Sequence, residues 1–316
     1  MLFAVFLSFA ATSCNGLGTS APSDGDAPYL VVLGIAQDGG VPQTGDTQHP
    51  GWHDPRRRRR VVCLGLVDPV SEQRWMFEAT PDFPEQLQVL DDLAPRREDD
   101  PQRPILDGIF LTHAHVGHYT GLAFLGHEVL GARDVAVHAL PRMAAFLRTN
   151  GPWSQLVEYQ NVRLNELVAG EPLRLNERLS VTALEVPHRQ EFSEVAGFRI
   201  DGPRRSVFFL PDIDSWEAWD AEGTRIEDVL ATVDVALLDA TFFANGELPG
   251  RDMTGFPHPF VRTSMERFAD LPPEHKAKVR FLHLNHSNPI LWDGPERRLV
   301  EASGFRVEDE GTRHPL

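Results

Sequence analysis

Three histidines fall within six positions of the segment LTHAHVGHYTG (111–121): His113, His115 and His118. On extended backbone, imidazoles two residues apart can face one point, and a third that follows a glycine can turn back toward it. Neutral imidazole and carboxylate are the donors that zinc, iron and manganese accept. Further along the chain His188, Asp212 and His286 stand at or near the ends of apolar runs. One histidine after a strand is usually structural or merely exposed. Several strand ends that all carry metal donors point to one centre, assembled from His113, His115, His118, His188, Asp212 and His286.

Other chemistries find less support. The chain has no G-x-S-x-G elbow and no phosphate-binding P-loop. LGIAQDGG (33–40) places glycines after a strand without the G-x-G-x-x-G spacing, and reads as a loop that brings its backbone to the site, with Asp38 behind the ligands. His258, between prolines in GFPHPF, lines the pocket or is exposed. His127, His138 and His275 have ordinary surroundings and read as structural.

The elements that must position these donors follow from the apolar pattern. YLVVLGIA (29–36) is a continuous apolar run, as in a buried strand. RRVVCLGLVDP and QRWMFEATPD read as two strands joined by a turn. A helical pattern then opens at Pro81 and Phe83, with Leu87, Leu90 and Leu93 at helical spacing. ILDGIFLTH is a strand that runs into the histidine cluster. GLAFLGHEVLGA (121–132) is expected to be helical, VAVHAL a strand and LPRMAAFLRTNG a second helix. LSVTALEVPH ends at His188. VAGFRI and RSVFFLPD form a hairpin whose second arm ends at Asp212, VDVALLDAT ends near Asp239, and VRFLHLNH ends near His286. LWDGPERRLVEASG closes as a helix stopped by Gly304. With no internal repeat, the order of elements predicts two sheets with helices outside them, in one domain over 29–316.

The chain has 316 residues, 41% of them apolar, enough for a substantial core. A formal net charge of −16 argues against a nucleic-acid backbone as partner and leaves a small-molecule substrate. The five arginines from Arg56 to Arg60 read as a solvated lead into the strand that follows. Residues 1–14 (MLFAVFLSFAATSC) resemble a bacterial signal peptide, with an apolar run too short to span a bilayer and a lipobox-like Cys14. Residues 15–28, rich in Gly, Ser, Pro and Asp, read as a tether. Export to the periplasm is expected, with membrane attachment only through a lipid on Cys14. Cys63, in an apolar strand, is expected to be a small buried side chain.

At this point the pattern resembles a known family. THAHVGH is similar to the H-x-H-x-D-H motif of the metallo-β-lactamase fold hydrolases, with Gly117 where the motif has aspartate. The resemblance implies an α/β fold, an αββα sandwich of two mixed β-sheets with outer helices. It also implies a first metal site from His113, His115, His188 and Asp212, and a second from His118, the bridging Asp212 and His286, with nothing from Gly117. Asp239 in LLDAT resembles the acidic residue of the E-A-T segment in the branch that processes tRNA 3′ ends, behind the ligands.

More closely, LGIAQDGGVPQ, RWMFEATPDFPEQL, VFFLPDID and HLNHSNPILWDGPERRLVEASGFRV resemble segments of the B-protein family of pyrroloquinoline quinone biosynthesis. That family carries cysteines after its first loop, thought to hold a structural metal. Here TGDTQHPGWHD offers His49 and His53 and no cysteine, so the resemblance carries no structural metal to this region. An exported paralogous branch is expected, and cofactor biosynthesis is not assigned.

The function expected is that of a metal-dependent hydrolase. A metal-activated water, oriented by Asp212, attacks an ester, phosphodiester, lactone or amide, and His286 or His118 helps protonate the leaving group. Zn2+ is the expected metal, one or two per chain, while the same donors accept Fe2+ or Mn2+. Two alternatives stand beside it: an iron-dependent oxygenase, as the pyrroloquinoline quinone resemblance implies, and a non-catalytic exported metal-binding protein.

Overall fold

Continuous apolar runs become strands buried on both faces, and two sets of them stack. The computed structural model describes residues 24–95 and 103–316. The expected signal peptide, Cys14 and the expected tether up to residue 23 lie outside the described residues. The end of the expected tether is ordered: Asp24–Asp26 forms a 3-10 turn, and the Asp26 carbonyl accepts a hydrogen bond from the Arg178 guanidinium at 2.6 Å.

In chain order the first six strands are β1 (Tyr29–Gly34), β2 (Cys63–Asp68), β3 (Gln73–Phe77), β4 (Gly108–Phe110), β5 (Val135–Ala139) and β6 (Val162–Glu166). Seven more follow: β7 (Pro172–Arg174), β8 (Ser180–Glu185), β9 (Ala196–Asp201), β10 (Ser206–Leu210), β11 (Val235–Asp239), β12 (Val279–Leu282) and β13 (Arg306–Val307). The last strand, β14 (Arg313–Pro315), returns to the first sheet. The two sheets run β14-β1-β2-β3-β4-β5-β6 and β13-β12-β11-β10-β9-β8-β7. Both are mixed. β3 through β6 are parallel to their neighbours, as are β10 through β13, while the hairpin partners are antiparallel. The expected αββα sandwich is what the chain forms.

Alternation along the strands divides the core in two. Leu30 and Val32 of β1 join the layer between the sheets. Val31 and Leu33 face outward into a second core cluster with Leu87 and Leu90 of the helix Phe83–Leu93, and the same cluster takes in Met143 and Leu147 of the helix Pro141–Thr149. Between the sheets Phe77 stacks on Phe110 at 4.8 Å and meets Phe198 edge-on at 5.5 Å. These rings lie directly beneath the ends of β3 and β4, so core packing sets where the following residues emerge.

Two expectations change. The segment 121–132 is not a helix: a single turn Val116–Tyr119 passes into a 3-10 stretch Thr120–Leu125 and then into turns. Gly121 is the cause, because it packs against the turn after β3 so tightly that a Cβ would stand 2.1 Å from the Thr80 carbonyl. The arginine run is only partly solvated. Arg56 pairs with Asp54 in solvent, whereas Arg57 and Arg59 lie over the Trp292 ring at 5.1 and 4.4 Å. Arg60 pairs with Glu310 at 2.9 Å. Cys63 is fully buried and free.

Candidate metal centre

Register carries the donors to one edge of the sandwich. In the second sheet Leu210, Leu238 and Phe281 are aligned across β10, β11 and β12. Asp212, Asp239 and His283 therefore emerge together just past the aligned rungs. In the first sheet Phe77 pairs with Phe110, so Glu78 lies beside the stretch 111–115. β8 ends at Glu185, and the chain reaches His188 three residues later. The loop after β1 is laced to the end of β12: Gln37 N–H donates to the Leu284 carbonyl at 2.9 Å and Leu284 N–H to Ile35 at 2.8 Å. That lacing sets Asp38 against His283.

The structure brings His113, His115, His118, His188 and Asp212 together. His286 does not join them. The strand ends at Leu282, and the first residue beyond it, His283, points inward and is fully buried. His286, four residues past the strand end, lies on the rim with Asp46 at 3.8 Å. The histidine that the strand end turns inward is therefore His283 and not His286, which lies on the wall of the cleft instead.

Donor atoms form two groups that share Asp212. His113, His115 and His188 make one, and Asp38, His118 and His283 another, with the ligand atoms of each group within 4.8 Å of one another. Asp212 Oδ1 lies 3.7 Å from His188 Nε2. Its Oδ2 lies 3.0 Å from His118 Nε2 and 3.4 Å from His283 Nε2. One carboxylate thus offers one oxygen to each group.

The outer nitrogens of His113, His115, His188 and His283 are tied, which sets the tautomer of the inner ones. Thr112 Oγ1 donates to Glu78 at 2.6 Å and so accepts from His113 Nδ1–H at 2.9 Å. His115 Nε2 meets Glu191 at 3.1 Å, and His188 Nδ1 meets Asp214 at 2.9 Å. Thr241 Oγ1 donates to Asp239 at 2.8 Å and accepts from His283 Nδ1–H at 2.9 Å. His118 Nδ1 stands 3.2 Å from Glu78 Oε1. On the inner side, His188 Nε2, His283 Nε2 and Asp212 Oδ2 are buried without a hydrogen-bond partner. Orphaned polar atoms aimed at one point are what a cation would satisfy.

The electrostatics agree. Among the described residues, the ion pairs of Asp38, Glu78, Asp212 and Asp239 are all with histidines. Burial pushes the Asp212 carboxyl up, but His283 and His118 hold it well below the carboxylate range. Burial likewise opposes charge on Asp239, and His258 brings it to about 2. Burial disfavours protonation of His283, yet Asp212 and Asp239 raise it to about 10. In His118 burial is overcome by Glu78 and Asp212, and the imidazole sits well above its usual range. His113 goes the other way, held well below its usual range by burial and then by His118. Such a concentration of buried anions requires compensating cations, protons or metal ions. The residues present fit divalent metal. Zinc, iron and manganese all accept this donor set.

Of the two readings the sequence left open for His258, pocket-lining or exposed, the structure supports the first: the residue is buried in the site. Its backbone is left-handed, φ +86, and its Nδ1–H donates to Asp239 at 2.7 Å. The same nitrogen lies 3.5 Å from Asp212 Oδ1. Asp239, expected behind the ligands, stands there and orients both His258 and, through Thr241, His283. A cleft of about 560 Å³ opens beside Asp38, lined also by Gln37, Phe242, Arg251, Asn285 and His286.

Comparison with known proteins agrees with this architecture. Coenzyme PQQ synthesis protein B of Methylorubrum populi is 26% identical over 314 residues, spanning 90% of this chain and 98% of that protein. The crystal structure of zinc-bound PqqB from Methylobacterium extorquens superposes with a TM-score of 0.74 at 24% identity, covering 91% of this chain and all of that one (100%). A diphosphatase of the PhnP family gives 0.64 at 22% identity over 92% of this chain and 97% of its own. Residues 66–281 match the β-lactamase superfamily domain, and the chain belongs to that family.

Proposed function

We propose that the protein is a metal-dependent hydrolase acting on an ester, phosphodiester, lactone or amide. The observation that carries this reading is the convergence on Asp212 of His118, His188 and His283, the last two with outer nitrogens tied and inner nitrogens buried without a partner. A divalent ion bound there supplies Lewis acidity and a water of lowered pKa. His113, His115, His188 and Asp212 are the residues to hold it. The cleft beside Asp38 favours catalysis over storage, since a purely structural site is closed.

The chain's own residues then divide the work. Asp212, buried and ionised, orients a nucleophile between the two donor groups. His258 is positioned to move a proton: burial opposes charge on its ring, but Asp239, which accepts from Nδ1–H, raises the imidazole above its usual value, and the protonated ring can give its Nε2 proton to a leaving group. Gln37, Asn285 and Arg251 offer polar contacts to a substrate in the cleft.

A second reading is oxygen chemistry at an iron held by three imidazoles and a carboxylate, since the same donor set accepts iron. Zinc- or manganese-loaded protein should turn over generic phosphodiesters or lactones under anaerobic conditions. Iron-loaded protein that consumes oxygen while every loaded form is inert without it would overturn the hydrolase reading. Stoichiometric metal with neither activity would favour the binding protein.

A further inference from the structure

The motif that carries three of the histidines lacks its carboxylate, and the structure shows what stands in that place. A Cβ built on Gly117 would lie 2.4 Å from Asp38 Oδ1, 2.5 Å from Asp38 Cα and 2.8 Å from Asp38 Cβ. The space a side chain at 117 would enter is filled by the backbone and carboxylate of Asp38. That carboxylate is aimed at the ligands next to Gly117: its Oδ1 is 3.0 Å from His118 Nε2 and 3.7 Å from His283 Nε2.

We propose that Asp38 is a metal ligand, the carboxylate of a second metal position completed by His118, His283 and Oδ2 of Asp212, and that Gly117 is glycine because Asp38 occupies its side-chain space. The ligand has moved from the motif to a loop 79 residues earlier in the chain (117 − 38). The proposal rests on the reading of this cluster as a metal centre and extends it to two ions per chain.

The loop is built to hold such a ligand still. Ala36 bridges to both Val61 and Leu284. Gln37 N–H binds the Leu284 carbonyl at 2.9 Å, and the Gln37 side chain accepts from Asn285. Gly40 N–H closes a turn on the Gln37 carbonyl at 2.8 Å. Asp38 is thereby tied to the same segment that carries His283. Its side chain keeps 28% exposure on the cleft side, so a metal there would face the cleft.

The test is metal content and affinity, read without turnover. Full-length protein is loaded with Zn2+, desalted and assayed for zinc per folded chain, with affinities from chelator competition. Mn2+-loaded samples are examined by electron paramagnetic resonance for a spin-coupled pair. The wild type should hold two ions, coupled in the manganese form. Asp38→Ala should keep one and bind the other at least roughly 100-fold more weakly, as removal of a ligand demands. Asp38→Asn, which preserves shape and hydrogen bonding, should show the same loss and guards against a folding artefact. Two ions held equally by the wild type and both Asp38 variants would overturn the proposal, as would a single ion indifferent to Asp38. Failure of the wild type to bind metal at all, or His113→Ala/His115→Ala protein that binds as the wild type does, would instead remove the metal-centre reading beneath it.

Discussion

Replacing His283 with alanine should cost the centre about two orders of magnitude in affinity for one metal, whereas replacing His286 should change affinity less than about threefold. The magnitude follows from the ligand set. A zinc site of about four protein ligands is worth roughly 10–16 kcal/mol, or about 3 kcal/mol per ligand, which is about a hundredfold in binding. His283 is fully buried, with an unpartnered Nε2 3.4 Å from Asp212 Oδ2 and 3.7 Å from Asp38 Oδ1. His286 keeps 27% of its side chain exposed and has only Asp46 near it, at 3.8 Å. Competition against a chromophoric chelator at fixed pH measures both variants. Circular dichroism of the metal-free forms establishes that each is folded, which matters because the His283 imidazole also separates Asp212 from Asp239. Equal losses for the two variants, or a larger loss for His286→Ala, would refute the assignment of ligands by register.

Three further expectations test other levels of the structure. His258→Gln should lower kcat by about 10²–10⁴ for substrates with poor leaving groups and much less for nitrophenolate esters, with metal content unchanged; loss on both would assign His258 a binding role instead. Phe110→Ala should destabilise the fold by about 3–5 kcal/mol, read from chemical denaturation, because the ring is fully buried and stacked on Phe77 at 4.8 Å; a loss below 1 kcal/mol would mean that the inter-sheet layer relaxes freely. Glu308 is pushed up by burial, but His314, 3.0 Å away, holds it below its ordinary value. A depressed carboxylate contributes stability above its unfolded value near 4.3 that is lost as pH falls through the folded value. Glu308→Gln should therefore lower Tm at pH 7, and the gap to the wild type should close below about pH 4; a gap that is constant with pH would refute the ionic account.

The sandwich was legible because buried strands are written as apolar runs, and His113, His115, His118, His188 and Asp212 because each lies inside or at the end of such a run. What was not legible depends on relations that a run does not encode. The choice between His283 and His286 rests on where β12 stops, and that is set by its pairing with β11, Asp239 opposite Leu282. Asp38 was expected only behind the ligands for a second reason: the signal that brings it forward is a side chain missing at Gly117, which has meaning only once the loop after β1 is seen against it. The helix expected over 121–132 fails in the same way, since Gly121 answers to the Thr80 carbonyl and not to its own neighbours in sequence.

A third class of residue defies local propensity outright. Glu78, His258 and His283 all adopt positive φ, at +81, +86 and +61. For residues with a Cβ each such conformation costs about 1–3 kcal/mol and persists only where the surroundings over-determine it. Here the surroundings are the hydrogen bonds of the site itself: Thr112 to Glu78, His258 to Asp239, and His283 to Thr241. Three of the six non-glycine residues with positive φ among the described residues thus touch or orient the donors, while Glu72, Asp134 and Gln160 lie in connecting segments elsewhere. At these positions local stability is given up for where a side chain points, and a reading of sequence by propensity passes over them for that reason.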